Sequence, residues 1–147
     1  MAAPRRLVVD ANIVIAAFLR DSTVRRLLSL SFLDLMAPEF LHEEVAEHLP
    51  DLARRAGLER ASAEEVLIQL NEYLTWIPQD SILIEWNRAA TVMAGIDSGD
   101  VPYVAAALAT PCDGVWSDDP DMKKQTVVPC WTTKELVAAL RREGFDF

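Results

Sequence analysis

The sequence predicts an α/β fold, because short apolar runs alternate along the chain with longer segments that have the spacing of amphipathic helices. The clearest apolar runs are Leu7-Val8-Val9 and residues 114–117. Runs of this kind are typical of parallel strands that are covered on both faces. The chain has 147 residues, of which 51% are hydrophobic, and we therefore expect one domain over residues 1–147 with a substantial core.

The first part of the chain shows this alternation clearly. The predicted elements are a strand over 5–10, a helix over 23–30, a strand over 32–37 and a helix over 39–55. Asp21 and Ser22 are good N-caps for the first of these helices. Pro38 ends the second strand, and Gly57 follows the second helix as a typical C-terminal stop.

The rest of the chain predicts more helix than strand. The predicted elements are helices over 62–74, 81–94 and 101–109, strands over 114–117 and 127–131, and a last helix over 133–142. Ser62 and Glu65 have the spacing of a capping box at the start of the first of these helices. Gly95 ends the second, and Pro102 is tolerated in the first turn of the third.

The acidic composition limits how this chain binds its partners. A formal net charge of -9 argues against a broad basic face for nucleic acid. It is compatible with an enzyme that contacts a short or single-stranded substrate through a few local cations and a divalent metal. The N-terminal segment lacks the pattern of a secretory signal, so we expect a cytosolic protein. Cys112 and Cys130 are isolated from each other and are predicted to be buried, reduced thiols.

Two acidic residues fall where a ligand site is expected. Asp10 directly follows the first apolar run, at the carboxyl end of a predicted strand, where open α/β sheets bind ligands. Its alternative role is the N-cap of a helix over 13–19. Glu44 projects between Phe40 and Leu41 on the buried side of the 39–55 helix, whereas the other glutamates of that helix point away. A carboxylate at the core edge needs a metal, a hydrogen bond or a cation, unless it bends back to solvent.

Two further acidic segments come later in the chain. Asp97 and Asp100 lie three residues apart at a helix start, where they either cap the helix or converge on a cation. Asp118, Asp119 and Asp121 directly follow the second apolar run. Because clustered like charges repel, this turn is the least ordinary feature of the sequence. Pro120 keeps the preceding backbone extended, so Asp119 and Asp121 are expected to face one side and Asp118 the other.

These acids predict a pocket for a hard divalent cation. Oxygen ligands without a cysteine or histidine set favour Mg²⁺ or Mn²⁺ over zinc. His42 and His48 are six residues apart, do not form a zinc-protease pair, and are expected to be ordinary surface or core-edge residues. Such a pocket suits hydrolysis of a phosphodiester bond by metal-activated water.

Four segments of the chain have a recognisable order and spacing: Leu-Val-Val-Asp-Ala-Asn, Pro-Glu-Phe-Leu with the Glu-Glu-Val that follows, Asp-Ser-Gly-Asp-Val-Pro-Tyr-Val-Ala-Ala-Ala-Leu, and Val-Trp-Ser-Asp-Asp-Pro-Asp-Met. Together they resemble the PIN-domain family of small nucleases, which includes the VapC toxins of toxin–antitoxin pairs. The likeness spans nearly the whole chain. It implies a PIN-like three-layer fold, with a central, mostly parallel sheet flanked by helices.

The resemblance also implies a site and an activity. The acidic quartet would be Asp10, Glu44, Asp100 and Asp119, binding Mg²⁺ or Mn²⁺, and the supporting residues would be Asn12, Asp97, Ser117 and Asp121. The activity would be endoribonuclease cleavage that leaves a 5′-phosphate and a 3′-hydroxyl. The partners would be RNA, a second copy in a homodimer and an inhibiting antitoxin protein. Asp119 is preferred to Asp118 because the family usually has a small or polar residue before this aspartate.

Other functions and contacts stay open at this point. A magnesium-dependent phosphatase or phosphoryl-transfer domain would use Asp10 as nucleophile but would have a second aspartate at position 12, which is Asn. A non-catalytic PIN-fold binding module would more naturally lack one of the four acids. Lys123 and Lys124 are the cations nearest in sequence to the site and are candidate phosphate contacts, although lysine pairs more often lie in solvent. The aromatic residues are first of all core or dimer contacts.

Overall fold

The computed structural model describes residues 2–19 and 22–146, and within them five strands form one sheet. The strands are β1 (Arg6–Val9), β2 (Asp34–Pro38), β3 (Thr75–Ile77), β4 (Val115–Trp116) and β5 (Cys130–Trp131). Their order is β3-β2-β1-β4-β5, and every neighbouring pair is parallel. The predicted α/β class is therefore confirmed, and the described sheet is wholly parallel.

Helices cover both faces of this sheet. The described α-helices are α1 (Ala11–Phe18), α2 (Ser22–Leu28), α3 (Glu39–Glu47), α4 (Leu49–Ala56), α5 (Arg60–Asn71), α6 (Gln79–Ile84), α7 (Trp86–Val92), α8 (Val101–Ala109) and α9 (Thr133–Arg142). α1 packs against α3, α4 and α5, whereas α8 packs against α6, α7 and the three central strands. Right-handed crossovers that run in opposite directions along the sheet place their helices on opposite faces, which gives the three layers.

The strand order reverses between β1 and β4. β2 and β3 extend the sheet to one side of β1, and β4 and β5 extend it to the other. The crevice between the carboxyl ends of the two strands at such a switch point is where open α/β sheets bind ligands. Asp10 and Ser117 directly follow these two strands. The topology thus brings two of the acidic segments of the sequence to one place.

The central strands lie in the core. Leu7, Val8, Val9 and Trp116 have no exposed surface, because helices cover both faces of β1 and β4. Across the described residues, the structure contains no helix with the length and apolar character needed to cross a membrane.

The predicted helix over 39–55 is two helices in the structure. α3 ends at Glu47, and α4 begins at Leu49 with Pro50 in its first turn. Proline lacks an amide hydrogen, and its ring collides with the carbonyl four residues earlier, so one continuous helix is disfavoured here. The predicted stop is confirmed, because Gly57 follows α4 with a left-handed φ of 68°.

The helix over 81–94 is also divided. α6 begins earlier, after Pro78, and the chain breaks at Glu85 before α7. Both helices pack on α8, so tertiary packing overrides the continuous helical pattern of the sequence.

The prediction of a capping box at Ser62 and Glu65 was wrong, because α5 already begins at Arg60 and Glu59 makes no side-chain cap bond. The helices over 101–109 and 133–142 match α8 and α9 at both ends.

The strand predictions differ from the structure mainly in length. β2 starts and ends later than the predicted 32–37, and the strands predicted over 114–117 and 127–131 are reduced to two residues each. β3 was not predicted, because a three-residue edge strand carries no periodic signal. Cys112 and Cys130 are free as expected but only half-buried rather than buried. The predicted cap at Asp21 lies outside the described residues, and α2 begins at Ser22.

Candidate metal centre

Asp10 occupies the carboxyl end of the central strand. Its backbone amide donates to the carbonyl of Trp116 at 3.1 Å, which fixes the chain where β1 meets α1. One carboxylate oxygen accepts the backbone N–H of Asn12 at 3.4 Å, and the other accepts the Ser117 hydroxyl at 2.6 Å. The side chain is 3% exposed. Asp10 is therefore the N-cap of α1 and, at the same time, a buried carboxylate oriented by a serine on the neighbouring strand.

The sequence left two roles open for Asp97 and Asp100, capping a helix or converging on a cation, and the two residues differ in this respect. Asp97 accepts the backbone N–H of Gly99 at 2.9 Å and so caps the short 3₁₀ turn Ser98–Asp100. Asp100 directly precedes α8 but makes no side-chain cap bond to it. Its side chain is 6% exposed, and its Oδ2 atom has no hydrogen-bond partner among the described residues. A buried polar atom without a partner is costly, and binding of a cation at this point would satisfy it.

Asp118 and Asp119 point to different sides, as the sequence suggested. Asp118 accepts the backbone N–H of Thr133 at 2.7 Å and its hydroxyl at 2.6 Å, which ties this turn to the start of α9. Asp119 accepts the backbone N–H of Asp121 at 2.9 Å, and its own amide donates to Ser117 Oγ at 3.1 Å. The Ser117 hydroxyl therefore joins Asp119 to Asp10.

Three carboxylates from three segments meet beside the switch point. Oxygen atoms of Asp10, Asp100 and Asp119 all lie within 4.8 Å of one another. A second group, of Asp97, Asp119 and Asp121, meets the same distance limit and shares Asp119 with the first. Carboxylate oxygens at this spacing, one of them buried and without a partner, fit a hard divalent cation.

Burial and mutual repulsion disfavour the charged forms of two members of this cluster. Burial raises the pKa of Asp10, and the hydrogen bonds from Ser117 and Asn12 partly oppose this change. Burial is also the largest cause that raises the pKa of Asp100 to about 8, followed by the charges of Asp10 and Asp119. None of the ion pairs among the described residues includes Asp10, Asp100 or Asp119, so no cationic side chain offsets this repulsion.

Glu44 lies at the edge of the cluster rather than within it. It is half-buried, whereas the other glutamates of α3 are exposed, and this confirms the prediction from the helical projection. Its charge contributes to the raised pKa of Asp10, but Glu44 belongs to neither of the two carboxylate groups. Its Oε2 atom accepts the Tyr103 hydroxyl at 2.6 Å. Phe40, expected on the buried side of the same helix, is instead 46% exposed.

Tyr103 was not among the predicted site residues. It follows Asp100 by three positions on a helix, and residues at this spacing share a face, so the sequence carried a signal for it. Its partner lies 59 positions away, and sequence reasoning had no means of pairing them.

The remaining predicted residues lie around this cluster. Asn12 is exposed on the first turn of α1. Lys124 pairs with Asp121 at 2.6 Å, within the acidic turn. Lys123 instead donates to the carbonyl of Cys130 at 2.8 Å and pairs with Glu135. Both lysines are thus engaged inside the chain, and a phosphate contact by either stays a prediction. His42 and His48 are exposed, as expected.

Comparison with known proteins relates this chain to a family. A comparison with curated proteins finds no match. A comparison with models of protein families matches residues 8–141 to the PIN domain, and this range contains every acidic residue of the cluster. PIN domains are generally metal-dependent nucleases. The match spans nearly the whole chain and agrees with the parallel three-layer fold, so this protein belongs to the PIN-domain family.

Proposed function

We propose that this protein is an endoribonuclease that hydrolyses RNA phosphodiester bonds with the help of Mg²⁺ or Mn²⁺. The observation that carries the proposal is the cluster of Asp10, Asp100 and Asp119, whose oxygens lie within 4.8 Å of one another. The buried Oδ2 of Asp100 without a partner supports a cation at this point. The family, whose members are generally nucleases, supports phosphodiester hydrolysis as the reaction.

The ligands in this proposal are Asp10, Asp100 and Asp119, with Glu44 at the edge. When bound, Mg²⁺ or Mn²⁺ would activate a water molecule for attack on the phosphate and stabilise the developing negative charge. Ser117 orients Asp10 and, through the amide of Asp119, fixes the distance between two of the ligands. Asp97 and Asp121 surround Asp119 and extend the acidic surface on that side.

The phosphatase alternative is disfavoured by the residue at position 12. Phosphoryl transfer with Asp10 as nucleophile would use a second aspartate two residues later, and this chain has Asn12 there. The non-catalytic module remains the main alternative, and a cleavage assay separates it from the enzyme.

The deciding experiment compares Asp119→Asn with Asp118→Asn. The wild type is incubated with single-stranded RNA and Mn²⁺, with and without EDTA, and product ends are identified by labelling. We expect cleavage that EDTA abolishes, with 5′-phosphate and 3′-hydroxyl products. Asp119→Asn should lower the rate of cleavage on the order of 100-fold or more, because it removes a proposed ligand. Asp118→Asn should retain most of it, because Asp118 bonds to Thr133 away from the cluster.

Two results would contradict the proposal. Equal cleavage by Asp119→Asn and wild type would show that Asp119 is not a ligand of the site. Cleavage that persists in EDTA would show that the reaction does not need a metal. Circular dichroism of both variants checks that each retains the fold, so that a loss of activity is not a loss of structure.

Four finer expectations rest on the sequence and its resemblance to the VapC toxins of the PIN-domain family. They are the role of a toxin, an inhibiting antitoxin protein, a homodimer and a cytosolic location. No contact among the described residues bears on them, and each stays a prediction. The net charge of -9 argues against a broad basic face for RNA and is compatible with local binding of the substrate through the cation and a few lysines and arginines.

A further inference from the structure

We propose that Tyr103 is a positioning residue that keeps the Glu44 carboxylate beside the metal centre by donating a hydrogen bond to one of its oxygens. The proposal rests on the function proposed above and assigns a role to a residue outside the acidic quartet. It concerns how the fourth carboxylate is brought to the cluster, since Glu44 lies on a helix that shares no segment with the other three acids.

The Tyr103 hydroxyl lies between three elements of the site. Tyr103 is on α8, three residues after Asp100, and is 1% exposed. Its hydroxyl donates to Glu44 Oε2 at 2.6 Å, across 59 positions of sequence. The backbone N–H of Ala11, the residue after Asp10, is near enough to the hydroxyl to lower its pKa slightly, against the larger effects of burial and Glu44. One side chain therefore connects α8, α3 and the start of α1.

The electrostatics of Glu44 give this hydrogen bond its importance. Glu44 and the three clustered aspartates are all acidic, and like charges close together repel each other. A glutamate side chain on a helix surface has enough rotatable bonds to swing away from such repulsion and into solvent. The described contacts of its carboxylate oppose this movement through a single donor, the Tyr103 hydroxyl. A charge-assisted bond of this length is among the stronger hydrogen bonds in proteins.

The donor is also of a suitable chemical type. A lysine or arginine at this place would neutralise Glu44 and compete with a cation for it, whereas a neutral hydroxyl orients the carboxylate and leaves its charge. Burial and Glu44 itself raise the pKa of Tyr103, so the hydroxyl keeps its proton. The hydroxyl engages Oε2, and Oε1 makes no hydrogen bond within the described residues. One oxygen is thus oriented and the other is available to a ligand.

The test is Tyr103→Phe, which removes the hydroxyl and keeps the buried ring. Its control is Tyr73→Phe, the same change at a tyrosine that is 45% exposed and remote from the cluster. The first readout is the Mn²⁺ concentration that gives half of the metal-induced rise in Tm, measured without RNA. We expect this midpoint to rise about 10-fold in Tyr103→Phe, as is typical when a group that orients a metal ligand is lost. Tyr73→Phe should match the wild type.

A double-mutant cycle with Glu44→Gln tests whether Tyr103 acts through Glu44. Both single variants should weaken Mn²⁺ binding, and the double variant should be no weaker than Glu44→Gln alone. Independent, multiplicative effects would overturn the proposal. An unchanged midpoint in Tyr103→Phe, with or without a lower Tm in EDTA, would show a purely structural role and overturn it as well.

A second readout separates this inference from the proposed function. On short single-stranded RNA, Tyr103→Phe should lower kcat at low Mn²⁺ and recover most of it at saturating Mn²⁺, with KM within about twofold of wild type. A reduced kcat that Mn²⁺ does not restore would contradict a positioning role. Failure of the wild type to bind Mn²⁺ or cleave RNA would instead contradict the proposed function itself.

Discussion

Replacing Asp100 by Asn should stabilise the metal-free protein, although Asp100 is a proposed ligand. Its carboxyl group is 6% exposed, one oxygen lacks a partner, and the charges of Asp10 and Asp119 lie close by. Asn has nearly the same shape and no charge. Its side-chain amide adds a hydrogen-bond donor beside carboxylates that can only accept. The substitution therefore removes the unfavourable charge and keeps the packing.

The magnitude follows from the pKa of Asp100. Burial and then the neighbouring acids raise it from 3.8 to about 8. Above pH 3.8 the unfolded chain loses this proton while the folded protein keeps it, so stability falls as the pH rises and the loss is complete above about pH 8. At about 1.4 kcal/mol per pH unit the upper limit is about 6 kcal/mol. Relaxation of the cluster and entry of water reduce it, and we expect about 2 to 3 kcal/mol.

The assay is thermal unfolding in EDTA at pH 8 and pH 5. Asp100→Asn should raise Tm by about 5 to 10 °C at pH 8, since 1 kcal/mol corresponds to about 2 to 4 °C in a protein of this size. At pH 5 the folded carboxyl group is protonated, and only about a quarter of the gain should remain. Asp118→Asn is the matched control and should not stabilise, because Asp118 accepts two hydrogen bonds from Thr133. A lower Tm for Asp100→Asn at pH 8, or a gain equal at both pH values, would refute the reasoning.

Two further predictions concern the fold around the site. Gly114→Ala should lower the free energy of unfolding in urea by more than about 3 kcal/mol, because φ is +133° and an added Cβ would lie 2.3 Å from the carbonyl oxygen of Pro129. Its control is Gly57→Ala, which lies in open space at φ +68° and should lower that free energy by about 1 kcal/mol. Thr132→Ala should cost about 1 kcal/mol by the same measurement, since Thr132 and Glu135 form a capping box at the start of α9; an unchanged stability would mean that the box contributes nothing.

The elements that the sequence predicted best have strong local signals. α8 carries Pro102 in its first turn and a long buried apolar face, and it matches the prediction at both ends. The helices that were wrongly joined were divided by Pro50 in one case and by packing on α8 in the other. Local pattern predicts that a helix exists better than where tertiary contacts break it.

The candidate site was predictable to the extent that parallel strands share an edge. Asp10 and the Asp118-Asp119 turn follow strands, so their convergence follows from topology once the sheet is parallel. The structure also shows that capping a helix and joining the carboxylate cluster are not alternatives, since Asp10 does both. The contact between Glu44 and Tyr103 had no local signature, because its geometry depends on how α3 packs beside α8.

The helix ends around the cluster lower the free-energy cost of bringing several negative charges together, and a bound cation would lower that cost further. α1 begins directly after Asp10, and α8 begins directly after Asp100, so both carboxylates lie at the positive end of a helix. Two helix N-termini together contribute about 1 to 4 kcal/mol in favour of negative charge. This contribution is similar to the cost of about 2 to 3 kcal/mol expected for ionising Asp100 alone, and the raised pKa of Asp10 adds a further cost. The helix ends therefore lower the cost of the charged cluster without removing it, and binding of a divalent cation to these carboxylates would stabilise the fold.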